Sequence, residues 1–178
     1  NIYNISLIAG MIETLGEEAT EEWAANFASN LARQPEGNDT AQIRAVAAGL
    51  GDVAIANSYY LARLGKSDDP ADQEVFEKVG IFFPNQSDRG THVNISGAGV
   101  LRTAPNPDAA IAFLTYLSSP VAQEFFAQGN NEYPVVKGTE LDPLLESFGD
   151  FIEDDVDVEA YGSNASKAVQ LVDRVGWE

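Results

Sequence analysis

Apolar residues recur at three- and four-residue spacing from Tyr3 to Leu15 and again from Thr20 to Arg33, and the runs close near Gly16 and Pro35. Two helices are predicted. Arg33-Gln-Pro-Glu-Gly-Asn38 reads as a loop, Asp39 or Thr40 as an N-cap, and Ala41 to Ala48 as a third helix that ends at Gly49-Leu50-Gly51. Asp52 to Asn57 reads as a short buried strand, and Tyr60 to Leu64 turns helical again. Lys66-Ser-Asp-Asp-Pro70 is a turn with Pro placed to start a helix over Ala71 to Lys78, followed by a second buried strand from Val79 to Phe83. Gly90 to Gly99 carries glycines at 90, 97 and 99 around Val93 and Ile95, the pattern of a strand that can bend. Pro105 to Ser118 and Pro120 to Gln128 form a helix pair, and Leu144 to Phe148 and Ala165 to Val175 are the last helical stretches. No internal repeat or low-complexity segment interrupts this order.

The chemistry gathers where the first strand runs out. Tyr59 and Tyr60 are adjacent there, and each ring carries a hydroxyl that needs a partner once buried. Neighbouring side chains point to opposite faces of a strand and diverge by about 100° on a helix, so a strand-to-helix corner is where two such phenols converge most easily. Phenol loses its proton at a pH of about 10 unless a cation intervenes. A tyrosine cluster in a chain with no Cys and one His favours ferric iron over zinc or copper, which prefer thiolate and imidazole. The dipeptide alone also fits two half-buried amphipathic rings. Arg63, three or four residues on, shares a helical face with the pair, either as a cation offsetting several phenolates or as a solvated surface arginine.

Composition narrows the partners. With 28 acidic and 10 basic residues the net charge is −18, which repels nucleic acid and anionic membranes. The acidity is spread along the chain, as on a solvated surface suited to saline surroundings. Absence of Cys excludes disulfides, ordinary iron-sulfur clusters and thiol catalysis. No run approaches the roughly 20 apolar residues that span a bilayer.

Other candidate sites are weaker. His92 is the only histidine, so an HExxH zinc site cannot be built, and no serine stands in the frame of a catalytic triad. His92 reads as a hydrogen-bonded structural residue, with a role behind the ligands as the alternative. The acidic stretch Gly149 to Glu159 invites a calcium loop starting at Asp155, but Ala160 and Ser166 occupy the positions that require Gly and Glu. It reads as a solvated acidic face. Ser96-Gly-Ala-Gly99 fits neither a nucleophile elbow nor a dinucleotide fingerprint, so no enzyme is expected.

Several longer segments carry a resemblance: Asn1-Ile-Tyr-Asn-Ile-Ser6, Gln42-Ile-Arg-Ala-Val-Ala-Ala-Gly49, Gly51-Asp-Val-Ala-Ile-Ala-Asn-Ser-Tyr-Tyr60, Gly80-Ile-Phe-Phe-Pro-Asn85 and Gly90-Thr-His-Val-Asn-Ile-Ser-Gly-Ala-Gly99. It continues through Ala110 to Ser118, Ala122-Gln-Glu-Phe-Phe126, Asn131-Glu-Tyr-Pro-Val135 and Val175-Gly-Trp177. In order and over essentially the whole chain, these resemble the ferric-iron-binding periplasmic proteins of bacterial iron-uptake ABC transporters. The resemblance implies an α/β chain of the type II, transferrin-like periplasmic-binding-protein fold. Tyr3, Tyr59 and Tyr60 match three tyrosine ligands of the family's far lobe; Asn57, and Arg63 by its spacing, either touch a synergistic anion such as carbonate or stand behind the ligands, and Asn38 and Asp39 match less clearly.

The same resemblance implies an iron carrier that closes two lobes on Fe³⁺ and hands it to an ABC permease of the inner membrane. Residues 1–89 and 141–178 would belong to the far lobe, and 90–140 to a hinge strand and part of the near lobe. The family's proteins are considerably longer, so the chain is expected to be a C-terminal portion, with the rest of the near lobe and any export signal ahead of Asn1. The alternative within the fold is a binder of an anion or small organic solute, in which the tyrosines stack or hydrogen-bond.

Overall fold

The structure, a computed structural model, describes residues 1–177. It holds nine helices among those residues: α1 (Ile2–Leu15), α2 (Glu17–Ser29), α3 (Asp39–Ala47), α4 (Ser58–Gly65), α5 (Pro70–Lys78), α6 (Pro107–Leu117), α7 (Pro120–Asn130), α8 (Pro143–Ser147) and α9 (Val158–Val175). They divide between two compact units, one of described residues 1–54, 82–95 and 151–177, the other of 55–81 and 96–150.

The first unit is built on α1 and α9. Asn1 caps α1 by accepting from the Tyr3 N–H, Asp157 caps α9 on Glu159, and Gly176 closes α9 in the left-handed conformation that glycine adopts without penalty. α9 begins at Val158, seven residues before the expected Ala165, and buries Asn164, Ala168 and Leu171, the spacing of one helical stripe. That stripe meets Ile8, Ala9, Met11 and Ile12 of α1 and Ala24 of α2. Trp23, Phe27 and Trp177 close the end of this core, with ring centroids 4.7 to 6.1 Å apart. Arg174, in the last turn of α9, donates to Glu17 and Glu21 in the first turns of α2. The cap of α3 is Asn38, accepting from the Ala41 N–H, one or two residues before the expected Asp39 or Thr40.

In the second unit α4 packs on α5 and α8 through Leu61, Ala62, Leu64 and Leu145, all buried. Gly65 permits this approach: a Cβ there would stand 2.9 Å from the Phe76 ring. Pro70, Pro107, Pro120 and Pro143 each occupy the first turn of their helix, where a missing N–H costs nothing. Lys66 pairs with Asp142 at 2.8 Å and donates to the Gln128 carbonyl. Burial pushes the Asp142 carboxyl up, but the Lys66 ammonium and the Leu144 N–H together outweigh it and hold the group below its ordinary value.

The three expected strands do not form ladders. Residues 52–57, 79–83 and 92–99 lie outside regular secondary structure, and among the described residues the single recorded bridge joins Thr91 to Glu153 in parallel. Val53 is 86% and Phe82 84% exposed, so the runs read as buried strands are not buried here. A strand is stabilised by neighbours that take its N–H and C=O groups and cover its apolar face, and a short apolar run carries no information about whether those neighbours are present. The α/β expectation is therefore met only in its helices.

Candidate metal centre

Tyr59 and Tyr60 occupy the first turn of α4, one and two residues past its opening Ser58. Asn57 is the N-cap residue in extended conformation, and its side chain makes no capping hydrogen bond to the helix. The corner is thus between an extended segment and a helix rather than between a strand and a helix. Although their Cβ directions diverge around the helix, the two rings come together, stacked with centroids 4.2 Å apart and planes 30° from parallel. The Arg63 guanidinium lies over both, 5.1 Å from the Tyr59 centroid and 5.5 Å from that of Tyr60. An offset ring pair and a cation over aromatic faces each stabilise by about 0.5 to 1 kcal/mol at such exposed sites. Two phenols and a fixed cation on one helical turn are therefore brought together, with Asn57 immediately before them. Arg63 is exposed, as a surface arginine is, and it also engages both rings.

Tyr3 stands in the other compact unit, at the second position of α1, half-buried. Its N–H donates to Asn1 Oδ1 at 3.1 Å, and its carbonyl accepts from the Ser6 hydroxyl at 2.9 Å.

The remaining tyrosines are of a different kind. Burial, then the Asp154 charge and its hydrogen bond, push the Tyr161 phenol up to about 12. Burial likewise raises that of Tyr133. Both phenols are thereby held in their protonated form. Tyr116 lies on the exposed face of α6.

One cluster was not legible in the sequence. His92 is brought beside Asp154, with Nδ1 3.6 Å from Oδ2, and beside Ser6, with Nε2 3.5 Å from the hydroxyl. Ser6 also contacts Asn94 Oδ1, and the Tyr161 ring meets His92 edge-on at 5.3 Å. Asp154 is 9% exposed, so the reading of 149–159 as a solvated acidic face fails at this residue, while Asp157 is spent as a helix cap. The order Ser, His, Asp is that of a hydrolytic triad, but the Ser6 hydroxyl is engaged by the Tyr3 carbonyl and Asn94, and both links are longer than a nucleophile-base contact requires. No local motif announces the cluster: its members come from α1, the 91–95 segment and the approach to α9.

Burial, opposed by Asp154, holds the His92 imidazole below its ordinary 6.5. The folded protein thus binds fewer protons than the unfolded chain once the pH falls below that value, and stability is lost on acidification. Thermal melting of wild type is expected to fall between about pH 7 and 5.5, with a shallower fall in His92→Leu. Identical slopes in the two proteins would show that His92 does not contribute.

A family model for bacterial extracellular solute-binding proteins matches residues 9–124, and the chain belongs to that family. Iron uptake protein A2 of Synechocystis sp. is 58% identical over 180 residues, an alignment covering 100% of this chain and 52% of that protein. A solved structure of Trichodesmium IdiA (FutA) in complex with iron and citrate superposes with a TM-score of 0.97 at 59% identity, over 100% of this chain and 56% of that one. A ferric binding protein from Campylobacter jejuni gives 0.94 at 38% identity, over 99% and 56%. The chain spans about half the length of the curated relatives it matches. Among the described residues no helix is long and apolar enough to cross a membrane.

Proposed function

We propose that this chain is part of a periplasmic carrier that binds ferric iron through the phenolates of Tyr3, Tyr59 and Tyr60 and delivers it to an ABC permease. The observation that carries the reading is the stacked Tyr59–Tyr60 pair under Arg63, in a chain 59% identical to a protein whose solved structure holds iron and citrate. Phenolate is a hard anionic donor suited to a small trivalent cation. Each phenolate added to one ion brings another negative charge, and Arg63 offsets part of that surplus from within the same helix. Asn57 and the opening N–H groups of α4 suit a synergistic anion such as carbonate, because a helix start presents unsatisfied donors.

In the whole protein, we assign residues 1–89 and 141–178 to a far lobe and 90–140 to a hinge strand and near-lobe segment, with further near-lobe residues supplied by the longer polypeptide. The compact units of the chain divide it at other points, at 54, 81, 95 and 150. Exposure of Val53, Phe82, Ile95 and Leu101 supports the requirement for further chain: large apolar side chains on extended segments are what a sheet covered by other strands and helices would bury. Closure of two lobes would then enclose the ion and signal loading to the permease.

A second reading, an anion or small organic solute held without iron, is favoured by Arg63, whose guanidinium suits carboxylates. A ferric titration of the full-length protein separates the two. Phenolate ligation is expected to give a visible phenolate-to-iron charge-transfer band and an affinity that falls as the pH falls, since each ligand must lose its proton to bind. Saturation by citrate alone, with no coloured complex on adding iron, would favour the second reading.

A further inference from the structure

We propose that Ser6 and His92 are positioning residues for Tyr3, fixing the first turn of α1 so that its phenol is presented to the ferric ion; this rests on the reading of Tyr3 as a ligand. A helix start is the part of a helix most prone to fray, because its first N–H groups lack partners within the helix. Tyr3 sits in that turn, and two side-chain bonds hold its backbone: Asn1 Oδ1 accepts from its N–H, and the Ser6 hydroxyl donates to its carbonyl. A carbonyl has two acceptor lone pairs, so the Ser6 hydroxyl adds to the helical bond and does not replace it.

Ser6 is in turn anchored from outside the helix. Asn94 Oδ1 and His92 Nε2, both on the extended 91–95 segment, stand beside its hydroxyl, where they share with the Tyr3 carbonyl the one proton that Ser6 can donate, and His92 is flanked by Asp154 and by the Tyr161 ring. The Tyr161 hydroxyl points to Asp154 and to the Val93 carbonyl, at 3.4 and 3.5 Å. The Thr91–Glu153 bridge sets the separation of the two segments that supply these groups. Gly10, one turn along α1 from Ser6, has no Cβ to collide with this cluster; one built there would stand 3.0 Å from the Tyr161 ring and 3.6 Å from His92 Nδ1.

The chemistry of the cluster argues that it does more than fill space. Alanine at position 6 and an apolar residue at 92 would pack the same region without desolvating a hydroxyl and an imidazole. The cluster costs that desolvation and gives a defined geometry in return around the Ser6 hydroxyl, while His92 Nδ1 lies near Asp154 without a hydrogen-bond partner. What lies at its end is the carbonyl of Tyr3. Groups behind a metal ligand that fix its orientation typically change affinity by about tenfold to a hundredfold when removed.

The test uses the full-length protein, with ferric citrate as the probe, in Tyr3→Phe, Ser6→Ala, Ser6→Thr and His92→Leu variants. Visible absorbance and thermal melting are recorded for each. The expected result is a weakened charge-transfer band in Tyr3→Phe, together with a shifted band and about a tenfold to hundredfold loss of affinity in Ser6→Ala and His92→Leu. Melting should change little, and Ser6→Thr, which keeps the hydroxyl, should restore the wild-type band. If Tyr3→Phe weakens the band while Ser6→Ala and His92→Leu match wild type, the positioning role is refuted and the ligand reading stands. No effect of Tyr3→Phe refutes both. Should Ser6→Ala fail to fold, His92→Leu decides alone; failure of both to fold makes the cluster a purely structural one and overturns the proposal.

Discussion

Replacing Tyr59 or Tyr60 with Phe is expected to remove most of the visible colour of the ferric complex and to lower iron affinity by more than about a hundredfold, the upper range for groups merely supporting a ligand. The substitution deletes an anionic donor and leaves the ring. Stacking at 4.2 Å and the Arg63 contact are properties of the ring faces, so the packing of α4 is retained. Its buried residues, Leu61, Ala62 and Leu64, lie beyond the pair. Thermal stability should therefore stay within about 0.5 kcal/mol of wild type, as for surface changes that break no special feature. Ferric titration followed by absorbance, with melting curves on the same samples, gives both quantities. Unchanged colour and affinity in both variants would remove the pair from the ligand set, and loss of folding would instead make the hydroxyls structural.

Gly90→Ala is expected to destabilise the protein by about 3 kcal/mol or more, the sum of a left-handed backbone and a backbone collision. Its φ is 84°, and an added Cβ would lie 2.5 Å from the Glu153 carbonyl oxygen and 2.8 Å from the Asp154 N–H nitrogen. Neither neighbour is a side chain that could rotate away. The Thr91 N–H to Ile152 and Asp154 N–H to Thr91 bonds, at 2.8 and 2.9 Å, would have to lengthen, and His92 and Asp154 would move with them. Gly97→Ala and Gly99→Ala meet open space and should cost no more than about 1 kcal/mol. Denaturant midpoints of the three variants measure the contrast; equal stability of Gly90→Ala and wild type would contradict the geometry.

Those glycines also mark where sequence reasoning stops. All three look alike in the sequence as bend points in an extended segment, yet one is fixed by a close backbone approach and two are not. The approach comes from residue 153, and nothing near position 90 encodes it. Helices were legible because their signals are local: Pro70 and Pro120 at first turns, Asp69 and Ser119 as caps, and apolar stripes at helical spacing. The expected helix over Ala165 to Val175 leaves out the first turns of α9, although Asn164, Ala168 and Leu171 form its buried stripe and Asp157 its cap. Tertiary packing against α1 overrides the weak local preference.

Strands failed for the opposite reason, since pairing is non-local and Val53 and Phe82 find no covering layer among the described residues. At the site, the pairing of Tyr59 with Tyr60 was visible in their adjacency and Arg63 in its spacing. The linkage of Ser6, His92 and Asp154 was not, because it joins three distant segments.

The most direct test of the central claim is a crystal structure of the iron-loaded full-length protein with anomalous diffraction collected at the iron edge. A single strong iron peak bonded to the hydroxyl oxygens of Tyr3, Tyr59 and Tyr60 together is expected. An iron peak bonded to none of these three phenols, or Tyr3 turned away from iron bound at Tyr59 and Tyr60, would contradict it.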